Sequence, residues 1–576
     1  MAFHTQQLKV LQRLVGVACL IFVFTVSLSA AQKSQSRKTS QVQPGNSSNQ
    51  TNAGLSEAAS LLQAGRIREA EATARNVLTS NPKSSEAHAL LGAILDKSGK
   101  TSEAEQEYHT ALELKPTYVF ALSNLGVLLA RTNRPTEAIA RFEEVLKLDP
   151  GHEGAVFNLA ALYAARGDYK LAVPLLEKAA QIVPGKPDVR PSADRALILT
   201  LVNAYIHAER RVDALKLSRA LESVAGSDPR TLFTLALSLA DGHEYSEAVR
   251  LFQRTNELRP QTYEVLYNLG LGLYNLDRLR EAREALLAAS ALSPGEADPH
   301  YRLGLVASAE GDGKTAVINW TKALELRPVF AEANFMIGEE LLKSKLFEKS
   351  IPFYERALEQ SQGQLIYFLR LGVANLRGKR FDRARQVFTD AIKRFPDNAN
   401  LYFLLGYAGR AGGQYDQAVE AFRAALKLEP DNPDVLSNLG YIASQRGESA
   451  EAETLLRRAI ALDPNAFPSY HDLGRLLVKL KRYDEALPLL SRGVELNPKD
   501  PGVHYQLFLA YSRLKKTEDA NKELAEFKRL DEVNRHGTTP VGDSAKTPAG
   551  MEAEPLPPLP AKAAGETTKP RTPVPF

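Results

Sequence analysis

One column of small side chains recurs along most of the chain. Thirteen alanines and one serine stand 34 residues apart, with a single interval lengthened by eight residues. Twelve residues before them lies a second column that holds nine glycines. A glycine inside a helix costs about 1 kcal/mol relative to alanine, so nine in register require a packing contact. We therefore predict fourteen helical hairpins whose two helices meet closely where glycine faces alanine.

The columns fix a numbering within each segment. We count so that the glycine column is the eighth position and the alanine column the twentieth. The twentieth position holds Ala70, Ala104, Ala138, Ala172, Ala214, Ala248, Ala282, Ala316, Ser350, Ala384, Ala418, Ala452, Ala486 and Ala520. The nine glycines are Gly92, Gly126, Gly270, Gly304, Gly338, Gly372, Gly406, Gly440 and Gly474. A proline follows twelve residues after the alanine column in eleven segments, where it ends the second helix.

These marks resemble the tetratricopeptide repeat from about Thr51 to Asn534. The segment 399–406 ends in Leu-Leu-Gly and is followed by Ala418, Phe422, Ala425 and Pro430, which is the family pattern. The resemblance implies an all-α fold, a right-handed superhelical solenoid of about 14 helical hairpins. It implies a binding scaffold rather than a particular ligand.

Seven segments organise the chain. We predict a signal peptide at 1–31, a disordered polar linker at 32–50, repeats 1–4 at 51–186, an insertion at 187–194, a divergent repeat at 195–228, repeats 6–14 at 229–534 and a disordered proline-rich tail at 535–576. The insertion has two open interpretations. It is either a tolerated loop beside a degenerate repeat or a hinge between two blocks of repeats.

The first residues have the pattern of an export signal. Lys9 and Arg13 precede an uncharged run at 14–28, and small residues follow at 29–31. We predict cleavage after Ala31 and a periplasmic or secreted bacterial-type protein; the alternative is an inner-membrane anchor formed by residues 10–30. Membrane contact is then expected only through an uncleaved signal. The one cysteine, Cys19, lies inside the run.

Charge and motifs point away from nucleic acid and from catalysis. The net charge is +4, and after the basic ends are removed the repeats carry about −2, too little positive charge for a nucleic-acid groove. No His-Glu-x-x-His sequence occurs, and the residues at 311–315, which resemble the end of a phosphate loop, have Ser308 where its first glycine belongs. The stretches outside the repeats are too short for a catalytic domain. We predict no enzymatic activity, no catalytic residue, no metal site and no small-molecule cofactor.

The resemblance also suggests where a partner binds. In the family the first helix of each hairpin lines the concave face, with the second, fifth, sixth, ninth and twelfth positions inward. The fifth position is aromatic in seven repeats, and the ninth is often aliphatic. The predicted peptide-binding residues of these columns are Phe233, Tyr267, Leu271, Tyr301, Leu305, Phe335 and Phe403. An apolar groove and ordinary family composition both explain them.

Four asparagines stand at the sixth position and complete the predicted site: Asn124, Asn158, Asn268 and Asn438. They resemble the asparagine ladder of the O-GlcNAc transferase superhelix, although other residue types interrupt the column here. The expected function is a non-catalytic scaffold that binds peptide segments of partner proteins in the concave groove. The alternative is an accessory subunit of an envelope polysaccharide-export or pilus and secretion assembly.

Overall fold

The structure, a computed structural model, describes residues 46–183 and 185–536. The predicted signal peptide with Cys19, most of the predicted linker, residue 184 and the tail from residue 537 lie outside this range. Within it the chain forms 28 α-helices and a single isolated antiparallel bridge between Val183 and Lys186. The all-α solenoid of helical hairpins is therefore confirmed.

The helices pair into fourteen hairpins in chain order. They are α1 (Asn46–Gln63), α2 (Ile67–Ser80), α3 (Ser85–Lys97), α4 (Thr101–Leu114), α5 (Val119–Arg131), α6 (Pro135–Leu148), α7 (Glu153–Arg166), α8 (Tyr169–Ala180), α9 (Arg195–His207), α10 (Arg211–Ala225), α11 (Pro229–Asp241), α12 (Tyr245–Leu258), α13 (Tyr263–Asn275), α14 (Leu279–Leu292), α15 (Ala297–Ala309), α16 (Gly313–Leu326), α17 (Ala331–Lys343), α18 (Phe347–Gln360), α19 (Leu365–Arg377), α20 (Phe381–Arg394), α21 (Ala399–Ala411), α22 (Tyr415–Leu428), α23 (Pro433–Arg446), α24 (Ser449–Leu462), α25 (Phe467–Lys479), α26 (Tyr483–Leu496), α27 (Pro501–Arg513) and α28 (Thr517–His536). The first helix thus begins five residues earlier than predicted, and the last one extends two residues into the predicted tail.

The chain divides into two compact units, the first ending at Leu292 and the second beginning at Ser293. The first unit contains hairpins α1–α14 and the second contains α15–α28, so each holds seven hairpins. The division lies about a hundred residues after the predicted insertion.

The glycine column packs against the second helix as predicted, and the atoms closest to it belong to a large side chain. A Cβ atom added at Gly304 would lie 2.4 Å from the Trp320 indole, and one at Gly372 would lie 2.3 Å from the Phe388 ring. Glycine therefore faces the large side chain at the twenty-fourth position. The alanine column lies next to it: a Cβ added at Gly92 would be 3.2 Å from the Ala104 carbonyl oxygen. Trp320 is fully buried, and its Nε1 donates a hydrogen bond to the Tyr301 carbonyl at 3.1 Å.

A left-handed residue closes every hairpin. The fifteenth position has a positive φ in all fourteen segments, between the first and the second helix. Six of these residues are glycine; the other eight are Asn133, Glu209, His243, Asp277, Lys345, Lys379, Lys481 and Lys515. The residues that resemble a phosphate loop lie at such a turn, where Gly311 has φ +81° and the Asp312 carboxylate accepts the Thr315 N–H. The Asp312 side chain therefore caps the start of helix α16.

The insertion leaves the neighbouring helices in contact. Helices α8 and α9, on either side of it, pack against each other. Tyr205 donates a hydrogen bond to the Glu177 carboxylate at 2.9 Å, and Arg210 forms an ion pair with the same carboxylate at 2.7 Å. Val189 within the insertion is buried. The hinge interpretation stays a prediction.

Contacts between hairpins distinguish the two helices of each pair. First helices of neighbouring hairpins contact each other, as α3 does with α5 in the first unit and α23 with α25 in the second. Across residues 46–183 and 185–536, neighbouring second helices make no comparable contact. Within each unit the first helices therefore lie on the inner side. We define the inner face as their sixth, ninth, twelfth and thirteenth positions.

Candidate functional site

The fifth-position aromatic residues lie mostly in the core. Phe233, Tyr267, Phe335 and Phe403 are between 0% and 6% exposed. Each of three packs its ring on a second-helix or neighbouring ring, with centroid distances of 5.6 Å for Phe233–Phe252, 4.9 Å for Phe335–Tyr367 and 5.9 Å for Phe403–Phe422. These side chains stabilise the hairpins and offer almost no surface to a peptide. The predicted aromatic groove is corrected accordingly.

Tyr301 differs from the other predicted aromatic residues because it is half-buried. Its ring lies 4.8 Å from that of Phe330, and the Arg302 guanidinium stands 5.4 Å from its centroid. Among the two predicted leucines, Leu271 is buried and Leu305 is half-buried. Of this predicted set, only Tyr301 and Leu305 retain a surface that a partner could contact.

The four asparagines are bonded to their own helices. Each donates from Nδ2 to the carbonyl four residues earlier, at 2.7 Å for Asn124 and at 2.8 Å for Asn158, Asn268 and Asn438. Asn158 and Asn268 are also buried. A ladder that holds a peptide backbone needs amide groups turned outward. In this structure one donor of each amide is used within the helix, and the sixth-position column is not assembled as such a ladder.

The accessible column lies one helical turn further along, at the ninth position. In the second unit Leu305, Glu339, Tyr407, Tyr441 and Arg475 are all half-buried there. Among these five residues, only Leu305 belongs to the predicted site. The missed signal is the pair of tyrosines at the same position of consecutive repeats, followed by an arginine.

Two groups of interactions order this part of the inner face. In the first, the Glu339 carboxylate accepts a hydrogen bond from the Tyr354 hydroxyl at 2.6 Å and lies 2.8 Å from Nε of Arg370. Burial, and then the Glu339 charge, raise the pKa of the Tyr354 phenol, so it remains a donor at ordinary pH. The second group stacks tyrosine and arginine side chains and is described below.

Two histidines on first helices, the half-buried His88 and the buried His504, have structural partners. Nδ1 of His88 lies 2.6 Å from the Glu107 carboxylate, and Nδ1 of His504 lies 2.6 Å from that of Glu523. Each pair joins the first helix of a hairpin to its second. Within the described residues no group of three or more His, Cys, Asp or Glu side chains is placed to hold a metal ion. In the same residues, no helix combines the length and apolar character that crossing a membrane requires.

Comparison with known proteins gives the family. Models described as tetratricopeptide repeat match residues 61–125, 123–187, 233–297, 301–364, 369–416, 410–477 and 467–500. No curated protein matches the chain.

Several solved structures are similar to this chain. A Naa15/Naa10 complex bound to HypK-THB is 15% identical over 85% of this chain and 94% of its own, with a TM-score of 0.35. YrrB, a TPR protein with an unusual peptide-binding site, is 20% identical over 32% of this chain and 95% of its own, with a TM-score of 0.30. The C-terminal part of a TPR repeat-containing protein from Cytophaga hutchinsonii is 16% identical over 42% of this chain and 99% of its own, with a TM-score of 0.38.

The family matches together span more than half of the chain and follow the hairpins of the structure. The chain therefore belongs to the tetratricopeptide repeat family, whose members serve in general as non-catalytic scaffolds for protein interaction.

Proposed function

We propose that this protein holds extended segments of partner proteins along the inner face of its first helices. The observation that carries the proposal is the half-buried ninth-position column, with Leu305, Tyr407, Tyr441 and Leu509 in the second unit. Helix packing fixes these side chains, so a partner gains contact area at a small entropy cost. The proposed contact surface is thus shifted by one helical turn from the fifth-position column.

Photocrosslinking tests this proposal. Twelve-residue peptides are selected from a random displayed library on the full chain, resynthesised with a photoreactive residue and crosslinked. We expect mass spectrometry to place the crosslinks on inner-face residues of first helices. The control surface is the face of the second helices that carries Ile318, whose side chain is 58% exposed. Crosslinks confined to second helices would contradict the proposal.

Two substitutions test how much the inner face contributes to the binding free energy. For a peptide that crosslinks at Leu305, Leu305→Ser should weaken binding by about 1–2 kcal/mol, because the apolar contact is lost. Ile318→Ser, an equivalent change outside the inner face, should leave the affinity within twofold. Equal losses in both variants would indicate a general effect on folding or solubility.

We propose further that the chain is exported. Its support is the sequence pattern of Lys9 and Arg13, the uncharged run at 14–28 and the small residues at 29–31. Mass measurement on protein isolated from its native host should find a chain that begins at Gln32. An intact Met1 would favour the membrane-anchor alternative.

A further inference from the structure

Four side chains form a continuous stack across three consecutive first helices. The Arg410 guanidinium on α21 lies 5.1 Å from the ring centroid of Tyr407 and 4.9 Å from that of Tyr441 on α23. The Arg475 guanidinium on α25 lies 5.1 Å from the same Tyr441 ring. Tyr441 is therefore shared by two cations from different helices. We call Tyr407, Arg410, Tyr441 and Arg475 the Tyr–Arg stack.

The stack holds its arginines in a defined orientation. A guanidinium attracted to an aromatic face by its charge donates hydrogen bonds outward in its own plane. Arg475 directs one such donor, Nη2, to the Asp472 carboxylate at 2.9 Å, and its side chain remains 31% exposed. Burial raises the pKa of the Tyr441 phenol, which keeps the ring neutral between its two cations at ordinary pH. The geometry suits a carboxylate that approaches the guanidinium edges.

The surrounding inner face of the second unit is basic. Its basic residues are Arg302, Lys343, Arg370, Arg377, Arg410, Arg475, Lys479 and Arg513. Only Glu339 and Asp472 are acidic at these positions of the second unit. The same positions in the first unit carry two basic residues, Lys97 and Arg131, and two acidic residues, Asp96 and Asp241. The positive charge is therefore a property of the second unit.

Three further acidic residues of first helices in the second unit lie at the helix starts. Asp298, Glu332 and Asp434 occupy the second position, near the start of their helices. The second and ninth positions of one helix are separated by about 10 Å along its axis. This is similar to the screening length of about 8 Å at physiological ionic strength. The basic charge at the ninth, twelfth and thirteenth positions is thus only partly cancelled.

We propose that the Tyr–Arg stack binds an acidic segment of a partner protein, whose Asp or Glu carboxylates accept hydrogen bonds from Arg410 and Arg475. This inference rests on the proposed function and adds the chemistry of the partner. The tyrosine rings contact the aliphatic part of the bound segment, and the basic inner face attracts it. A neutral peptide lacks the carboxylate contacts and binds more weakly.

Fluorescence anisotropy on the full chain tests this inference with defined probes. The probe is a labelled twelve-residue peptide of alternating Glu and Ser; matched peptides carry Gln or Lys in place of Glu. We expect the Glu peptide to bind at least about tenfold more tightly than the Gln peptide, because charge-assisted hydrogen bonds are lost with the carboxylates. Equal affinity of the Glu and Gln peptides would overturn the inference.

The matched variants are R410Q/R475Q and R423Q. Arg423 is exposed on the second helix α22, so its substitution removes a charge from the same repeat as Arg410 outside the inner face. We expect the double variant to bind the Glu peptide about tenfold or more weakly than the wild type does. R423Q should change this affinity less than twofold. An unchanged affinity in a folded double variant would overturn the inference. If the double variant loses helicity, R410K/R475K keeps the charge without the planar donors, and unchanged binding there would likewise contradict it.

Two further outcomes separate this inference from simpler explanations. A twelve-nucleotide single-stranded DNA that binds as tightly as the Glu peptide would indicate general polyanion attraction and overturn the inference. Library peptides that crosslink to the inner face while the Glu peptide fails to bind would retain the proposed function and remove only the acidic partner. Loss of every inner-face crosslink would remove both.

Discussion

The inner faces of the two units carry different chemistry on the same helical frame. Basic and acidic residues balance on the inner face of the first unit, whose asparagines are bonded to their own helices. The second unit has an excess of basic residues and the Tyr–Arg stack. The twentieth-position column is nevertheless buried in both units. Hairpin packing constrains the core columns, so the inner face is free to differ between the units.

The largest expected effect is separate unfolding of the two units. In a repeat protein each hairpin is stabilised by its neighbours, and long arrays depart from two-state behaviour. Trp320, the only tryptophan, lies in the second unit, so its fluorescence reports that unit. We expect its urea transition not to coincide with that of far-UV circular dichroism. Phe142→Trp in a Trp320→Phe background is the matched reporter for the first unit; coincident curves from all three probes would show that the two units unfold together.

The next largest effect tests whether the fifth position is core. Tyr267 in the first unit is 2% exposed, so Tyr267→Ala leaves a cavity and should cost about 3–5 kcal/mol of unfolding free energy. Tyr505, at the same position in the second unit, is 39% exposed, so Tyr505→Ala should lower the unfolding free energy by under about 1 kcal/mol. Urea denaturation measures both. Similar losses of unfolding free energy in the two variants would contradict the difference in burial between Tyr267 and Tyr505.

A smaller effect compares the glycine contacts of the two units. Gly372→Ala brings a Cβ to 2.3 Å from the Phe388 ring, and Gly126→Ala brings one to 2.9 Å from the Phe142 ring. We expect losses of about 1–3 kcal/mol, greater in the second unit because the approach is closer. Gly363→Ala, where no heavy atom lies within 4 Å, is the control. A larger loss for Gly126→Ala would show that approach distance does not set the cost.

The smallest effect concerns a helix cap in the divergent part of the first unit. Asp228 accepts hydrogen bonds from Thr231 Oγ1 at 2.6 Å and from Arg230 N–H at 3.2 Å, and pairs with Arg195 at 3.0 Å. The Thr231 hydrogen bond, more than the Arg195 contact, lowers the pKa of the carboxyl. Its stabilisation is thus present above about pH 4, the unfolded value, and is lost as the pH falls through the lower folded value.

At pH 7 we expect Asp228→Asn to cost about 1 kcal/mol by urea denaturation, because an amide keeps part of the cap but loses the charge. Acidification should bring the wild type and the variant together. Asp397→Asn, at an exposed turn, is the control. A difference that grows below pH 4 would have the wrong sign for a carboxyl whose pKa is lowered on folding.

The repeat columns predicted the array of helical hairpins because their spacing is compatible with one structure. The fourteen hairpins and the burial of the twentieth-position column follow from that spacing. The large side chain that lies closest to each glycine did not follow. Alanine and the large residue four positions later share one face of the second helix, and only the packed structure shows which of them approaches glycine more closely.

The candidate site was less predictable for a related reason. The fifth and ninth positions are both rich in apolar residues, and a small rotation of the first helix decides which column enters the core. The bonds that occupy Asn158 and Asn268 depend on side-chain rotamers, which residue type does not determine. The Tyr–Arg stack joins three hairpins at two different positions, so no single column revealed it.

The left-handed turns give this protein a way to change its inner face without losing its fold. Eight of the fourteen turn residues are not glycine, and each holds a conformation that costs an L-amino acid about 1 kcal/mol. Glycine at any one of them would recover that energy without altering an inner-face side chain. A lineage that acquires a destabilising but useful contact residue can thus be rescued by a single change at a turn. Changes at the turns can therefore restore stability independently of changes on the inner face.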